Sequence, residues 1–271
     1  MSNLLVISNR KSDISLLLSK DIRGILLGVK GLSIYPLELD IEDIIDIRDK
    51  SDKKVYIVIN RMIHNMDLAL VRMVLSRVAM SSIDGIVFND LGVFNVIREM
   101  DIDKELVIDI EHQNASINSN IFYYNRGIKS SIVTNDITTS EVMDIKKNTL
   151  MSIYYVVYGY LPVFYSRRSL ISNYFSYIER DCDSSRYYIY NNDLKYMVVE
   201  RDYGTIIYSP LVNMINEIDR MNDIDNLIIN LSYVDDVSII DKFINREKMD
   251  DTYIGFGNTK TIYRLKGDSD E

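Results

Sequence analysis

The sequence predicts an α/β fold, a (β/α)8 barrel of the TIM type with a small β-rich insertion between its seventh and eighth strands. Three observations lead there. Eight short runs rich in Ile, Val and Leu recur along the chain, and the pattern of such a run, then a polar residue, then apolar residues at three-to-four spacing repeats along it, the signal of consecutive parallel βα units. The runs are nearly continuous in apolar residues, as strands covered on both faces by helices are. The chain is also large enough to bury such a core, with 271 residues of which 47% are apolar.

In order, the runs are Leu4 to Ser8, Gly24 to Val29, Val55 to Ile59, Gly85 to Phe88, Leu106 to Ile110, Ser131 to Thr134, Ile153 to Tyr158 and Leu227 to Leu231. Helices are expected over Ile41 to Arg48, Leu68 to Met80, Val93 to Met100, Ile117 to Tyr124, Ser140 to Lys147 and Val212 to Met221. Tyr187 to Ser209 breaks the rhythm, because three short β-branched and aromatic runs alternate there with Asn-Asn-Asp and Asp-Tyr-Gly turns. Residues 1–249 therefore read as a single barrel domain with 186–210 as its insertion, and 250–271 as an extended C-terminal tail.

The lone cysteine, Cys182, excludes an internal disulfide, and no leader pattern opens the sequence, so a cytoplasmic protein is expected. Between Lys147 and Arg167 no residue is charged, but Gly159, Pro162 and several tyrosines make this a buried strand and turn, and no membrane association is expected. A net charge of −9 argues against a surface coated for indiscriminate nucleic-acid binding, while leaving room for a local basic groove at Arg167 and Arg168.

In barrels of this kind functional groups come from the C-terminal ends of the strands, and here those ends are polar: Asn9, Asn60, Asn89 with Asp90, Glu111 with His112, Gln113 and Asn114, and Asn135 with Asp136. Helix capping is the competing role for each of them. His64 and His112 with a carboxylate could hold a metal, yet no ligand spacing supports it and none is expected. Cys182 sits among carboxylates that would raise its pKa, and no Gly-x-Ser-x-Gly, phosphate-loop or dinucleotide element exists. An anion or nucleobase site is the stronger physical reading: Arg167 and Arg168 can fork onto a phosphate beside the faces of Tyr158, Tyr160 and Tyr165. Phe164 reads as core.

The stretch from Tyr158 to Phe175 resembles the signature of peptidase family U32, the collagenase-like peptidases, through Gly159, Tyr165, Ser166, Arg168, Leu170 and Ser172. The family cysteines fall on Pro162 and Ser169 and its histidine on Tyr158, so the resemblance implies no iron–sulfur cluster and no other cofactor here. The similarity extends from about Gly24 to Asn230, and it is nearest to short, cysteine-poor members related to tRNA uridine hydroxylation. It implies a tRNA-modification factor, with tRNA as a partner, or a degenerate subunit of a larger paralogous relative; the alternatives are a peptidase-like hydrolase and a non-catalytic scaffold. Asp136, His112 and Asn60 are the expected catalytic residues. Arg167, Arg168, Tyr165, Ser166, Glu111 and Asn89 are the expected substrate-binding ones.

Overall fold

The computed structural model describes residues 3–250 and 252–259. Eight parallel strands close into a barrel: β1 (Leu4–Ile7), β2 (Gly24–Val29), β4 (Lys54–Ile59), β5 (Gly85–Phe88), β6 (Glu105–Ile108), β7 (Ser130–Ile132), β8 (Ser152–Gly159) and β14 (Asn226–Asn230). A two-residue strand, β3 (Glu38–Leu39), adds to the rim of β2. Closure is direct, since β1 pairs with β14 on one side (Leu4 opposite Leu227) and with β2 on the other (Leu5 opposite Gly24).

Alternation along each strand sorts the side chains into two shells. Leu5, Ile7, Leu26, Tyr56, Val58, Val87, Val107, Ile132, Tyr154 and Ile228 fill the barrel interior. Outward residues such as Val6, Ile25, Ile57, Ile86 and Ile153 pack against the helices. These are α1 (Ile14–Leu18), α2 (Ile41–Asp49), α3 (Leu68–Ala79), α4 (Leu91–Glu99), α5 (Ile117–Tyr124), α6 (Thr139–Lys147) and, after the insertion, α8 (Ile239–Asn245). Their starts are fixed locally: Asp90 accepts from the Gly92 N–H, Ser116 from the Ser119 N–H, and Thr138 with Glu141 forms a reciprocal capping box.

The floor of the barrel is closed by Glu105 at the start of β6. Its carboxylate accepts from Tyr154 Oη (2.6 Å), Tyr56 Oη (2.9 Å) and Ser130 Oγ (3.0 Å), with Lys54 Nζ at 3.4 Å. Burial alone would raise its pKa; the hydrogen bonds and the lysine outweigh burial and hold it below the usual carboxylate range.

Between β8 and β14 lies a four-stranded antiparallel sheet in the order β10 (Arg186–Asn191), β11 (Leu194–Arg201), β12 (Gly204–Tyr208) and β9 (Pro162–Ser166), with α7 (Leu170–Tyr177) on it. It therefore starts at Pro162, well before the three strands expected from the sequence. The uncharged run splits at Gly159, whose φ of 125° turns the chain out of the barrel. A Cβ there would stand 2.3 Å from the Asn230 carbonyl oxygen, so only glycine fits. The sheet rests on the mouth of the barrel through Tyr203, Tyr208, Ile206 and Met197 packed against Ile34 and Tyr233.

The helix expected over Val212 to Met221 does not form. Val212–Asn213 is a short strand, β13, antiparallel to Gly159 and Tyr158 of β8, and only Ile218–Met221 makes a single 3-10 turn. The Met214 N–H goes to Val157 O (2.9 Å) and the Asn213 N–H to Tyr253 O (2.7 Å), so β8 and the C-terminal segment take the donors a helix would have used. Val212, Ile215, Ile218 and Met221 are buried, and their helix-like spacing serves a segment laid along the barrel. Residues 252–259 of the expected tail turn back on the barrel, where Gly257 O accepts from the Thr139 N–H (3.0 Å). The remainder, 251 and 260–271, lies outside the described residues.

Candidate functional site at the mouth of the barrel

The C-terminal ends of the strands enclose a cavity of about 110 Å³, lined also by Leu161, Pro162 and Val163 at the start of the insertion and by residues 253–256. Alternation decides what faces it. On β6 the inward positions are Glu105, Val107 and then Asp109, which reaches the cavity floor. The same step delivers Asn60 beyond β4, Thr134 beyond β7 and Asn230 at the end of β14.

After Asp109 the chain makes a tight 3-10 turn, Glu111–Gln113, entered through Glu111 in the left-handed region at φ 49°. A non-glycine residue held there stores local strain, which collects at functional sites. The Glu111 N–H donates to Asp109 Oδ1 (3.3 Å). The turn throws His112 across to β7, where its Nδ1 meets the carboxylate of Asp136, and the Asp136 N–H is held by Thr134 Oγ1 at 3.1 Å. Both members of that pair are part-exposed, at 45% and 38% of their side chains, so they can meet a ligand arriving from solvent.

Three carboxylates and one histidine thus line the cavity, and among the described residues no lysine or arginine does. Burial pushes the Asp109 carboxyl up to about 6, against the Glu111 N–H bond and the charge of His112. Burial, reinforced by the charge on Asp109, pushes Glu111 up to about 7. Both can exchange a proton near neutrality, the range in which a general acid or base works. Burial, with Asp109 and Glu111 beside it, also raises Tyr35. Across the cavity Ser232 is buried, and its Oγ has no hydrogen-bond partner.

The mouth brings together four of the expected residues: Asp136, His112, Glu111 and Asn60. Asn60 has a positioning role as well, because its Oδ1 accepts from Ser33 Oγ (2.9 Å) and from the Ile34 N–H (3.0 Å), fixing the loop that carries Tyr35. Asn89 lies behind Asn60, donating to its carbonyl at 3.0 Å, and does not line the cavity. Arg167, Arg168, Tyr165 and Ser166 also lie outside the lining. Arg167 braces the insertion on the loop after β4 through Met62 O (3.3 Å) and Asp67 (3.4 Å). The Tyr165 hydroxyl donates to Tyr203 O (3.3 Å), and Ser166 Oγ accepts from the exposed Arg168 at its N–H (3.2 Å).

Other polar strand ends are structural. Asp90 caps α4, Asn9 accepts from the Tyr233 N–H (3.0 Å), and Asn114 joins a buried chain with Asn120 and Ser131. Among the described residues no group of three or more His, Cys, Asp or Glu side chains could hold a metal, and no helix is long and apolar enough to cross a membrane. Cys182 is exposed on the insertion.

Asp109, Tyr35, Asn230 and Ser232 were not legible as strand-end residues. Asp109 lay inside the fifth apolar run; the two-residue step from Glu105 was the signal that could have found it.

Residues 36–231 match the family described as Peptidase family U32, a span reaching from the loop after β2 to the end of β14 and containing Asn60, Asp109, Glu111, His112, Thr134, Asp136 and Asn230 but not Tyr35 or Ser232. A similar relative is "tRNA hydroxylation protein P2" of Bacillus subtilis (strain 168), 29% identical over 193 residues that cover 68% of this chain and 62% of that protein. This chain thus spans less than two thirds of that relative's length. With six of the eight barrel strands and most of its length inside the matched region, the chain belongs to peptidase family U32.

Proposed function

We propose that this protein is a tRNA-modification factor acting in uridine hydroxylation, with the mouth of the barrel as its working site. One observation carries the reading: Asp109, Glu111, His112 and Asp136 converge in one cavity at the end of the barrel where function is built, two of them with proton affinities near neutrality. The similarity to a tRNA hydroxylation protein supports the reaction class proposed for that site. In this reading a base enters the cavity, the His112–Asp136 pair fixes its orientation, and Glu111 or Asp109 moves a proton at the ring. The protein works in the cytoplasm without an iron–sulfur cluster of its own, and a larger family member supplies the chemistry that its residues lack. A hydrolase is less well supported, because the cavity hydroxyl of Ser209 donates to Pro210 O (2.7 Å) and Ser232 Oγ has no base beside it.

The test is nucleoside mass spectrometry of tRNA from cells lacking the gene, complemented with wild type, Asp136→Ala or Glu111→Gln. Loss of hydroxylated uridine that only wild type restores supports a working site. Unchanged tRNA in the deletion strain would sink the proposal.

A further inference from the structure

Among the described residues nothing pairs with the outer edge of the inserted sheet. β10 pairs along its whole length with β11, from Arg186 opposite Val199 to Asn191 opposite Leu194, and stands last in the sheet order. The two-residue turn Asn192–Asp193, with Asn192 at φ 51°, sets which backbone groups point where. Residues flanking such a turn form a hydrogen-bonded pair, so Asn191, Ile189 and Tyr187 bond to β11 while the N–H and C=O groups of Tyr190 and Tyr188 face outward. Arg186, the next outward residue, has its N–H and C=O already paired with Ser184 Oγ, at 3.1 and 3.0 Å.

The side chains are exposed too: Tyr188 is 42% exposed with Lys195 Nζ over its ring at 3.8 Å, Ile189 is 49% exposed and Tyr190 66%. Folded proteins cover such an edge with charge, proline, a bulge or another chain. β10 has no proline, its register with β11 has no shift, and its one charge, Arg186, lies over the Tyr233 ring at 4.9 Å.

We propose that β10 is the seat of a twofold dimer, in which the edge strand of a second copy of this chain adds antiparallel and joins the two inserted sheets into one. The strand is complementary to itself. Pairing Tyr188 with the copy's Tyr190 gives every outward backbone group of both residues a partner and places Ile189 opposite itself on the axis. The neighbouring twofold registers would use Arg186, already paired, or the turn. In the favoured register two Tyr–Tyr cross-strand pairs form, and Arg186 falls opposite Asn192 next to Asp193, so like charges do not meet. This inference is independent of the tRNA reading.

Sedimentation velocity over a range of concentrations tests it. The wild-type mass should rise from 31.5 kDa towards twice that value. Ile189→Lys puts like charges on the axis, and Tyr190→Pro removes an outward N–H while sparing the bonds to β11; both should stay monomeric while keeping the wild-type circular-dichroism spectrum, which shows the fold intact. In a Cys182→Ser background, Ile189→Cys should oxidise to a linked dimer. Tyr188→Cys should not, because those Cα atoms lie a diagonal apart, beyond disulfide reach. A wild type that stays monomeric at every concentration, a dimer indifferent to both disrupting substitutions, or equal cross-linking of the two cysteine variants would each overturn the proposal.

Discussion

Replacing Glu111 with glutamine should make the protein more stable, by an amount that grows as pH rises above 4.5 and is complete above about 7. The folded carboxyl keeps its proton up to about pH 7, whereas the ordinary value is 4.5. Below 4.5 both folded and unfolded chains are protonated, and the folded state carries no penalty. Between 4.5 and about 7 the unfolded chain gives up its proton while folded Glu111 holds on, so stability falls as pH rises, and above about 7 the loss is complete. That difference in proton affinity sets a ceiling of about 3 kcal/mol. Because Glu111 is partly open to solvent and coupled to Asp109, a gain of about 1–2 kcal/mol is expected at pH 8, which for a chain of this size raises Tm by about 2–8 °C. Glutamine keeps the side-chain shape and the left-handed backbone, so nothing else should move. Thermal melts of wild type and Glu111→Gln at pH 8 and pH 4.5 measure it. An equal Tm difference at the two pH values, or a loss of stability at pH 8, would refute the argument that Glu111 is held protonated by burial and by Asp109.

Gly159→Ala should be among the most damaging single changes, because its Cβ would press on the Asn230 carbonyl at 2.3 Å from a φ of 125°; a loss of about 3 kcal/mol or more is expected and is read as lost soluble yield or a lowered Tm. Glu105→Ala strips the partner from the Tyr56 and Tyr154 hydroxyls inside the barrel and should cost about 3 kcal/mol in urea titration, with Glu105→Gln milder. Since its folded pKa is depressed, the contribution of Glu105 should be fully present above 4.5 and fade as pH falls below that. Asp90→Ala removes only the cap of α4 and should cost about 1 kcal/mol without affecting tRNA modification.

The barrel was legible because strands buried on both faces advertise themselves as short apolar runs, and seven of the eight are followed by a polar residue that ends them. Val212 to Met221 misled for the converse reason: its apolar spacing suits a helix, yet its N–H groups find partners on β8 and at Tyr253 that no local pattern announces. Phe164, read as core, is 46% exposed because it belongs to β9, an outer strand of the inserted sheet. Within the site, Asn60, Glu111, His112 and Asp136 could be picked out as polar ends. Their companions could not, since Tyr35 and Ser232 arrive on loops whose course depends on hydrogen bonds to Asn60 and Asn230. The basic turn stood out by its charge, but Arg167 is tied to Asp67, a pairing made between segments 100 residues apart.

The chain leaves the barrel at Gly159 and returns at Val212, and these two residues sit opposite each other in antiparallel register. Departure and return therefore share one doorway, and everything between them is hung on a single clasp. A cassette attached in this way can be exchanged, shortened or redesigned while the eight barrel strands keep their neighbours. Grafting the corresponding segment of another family member between these two positions would transfer the roof of the cavity to an unchanged floor, and so separate what the floor does from what the roof admits.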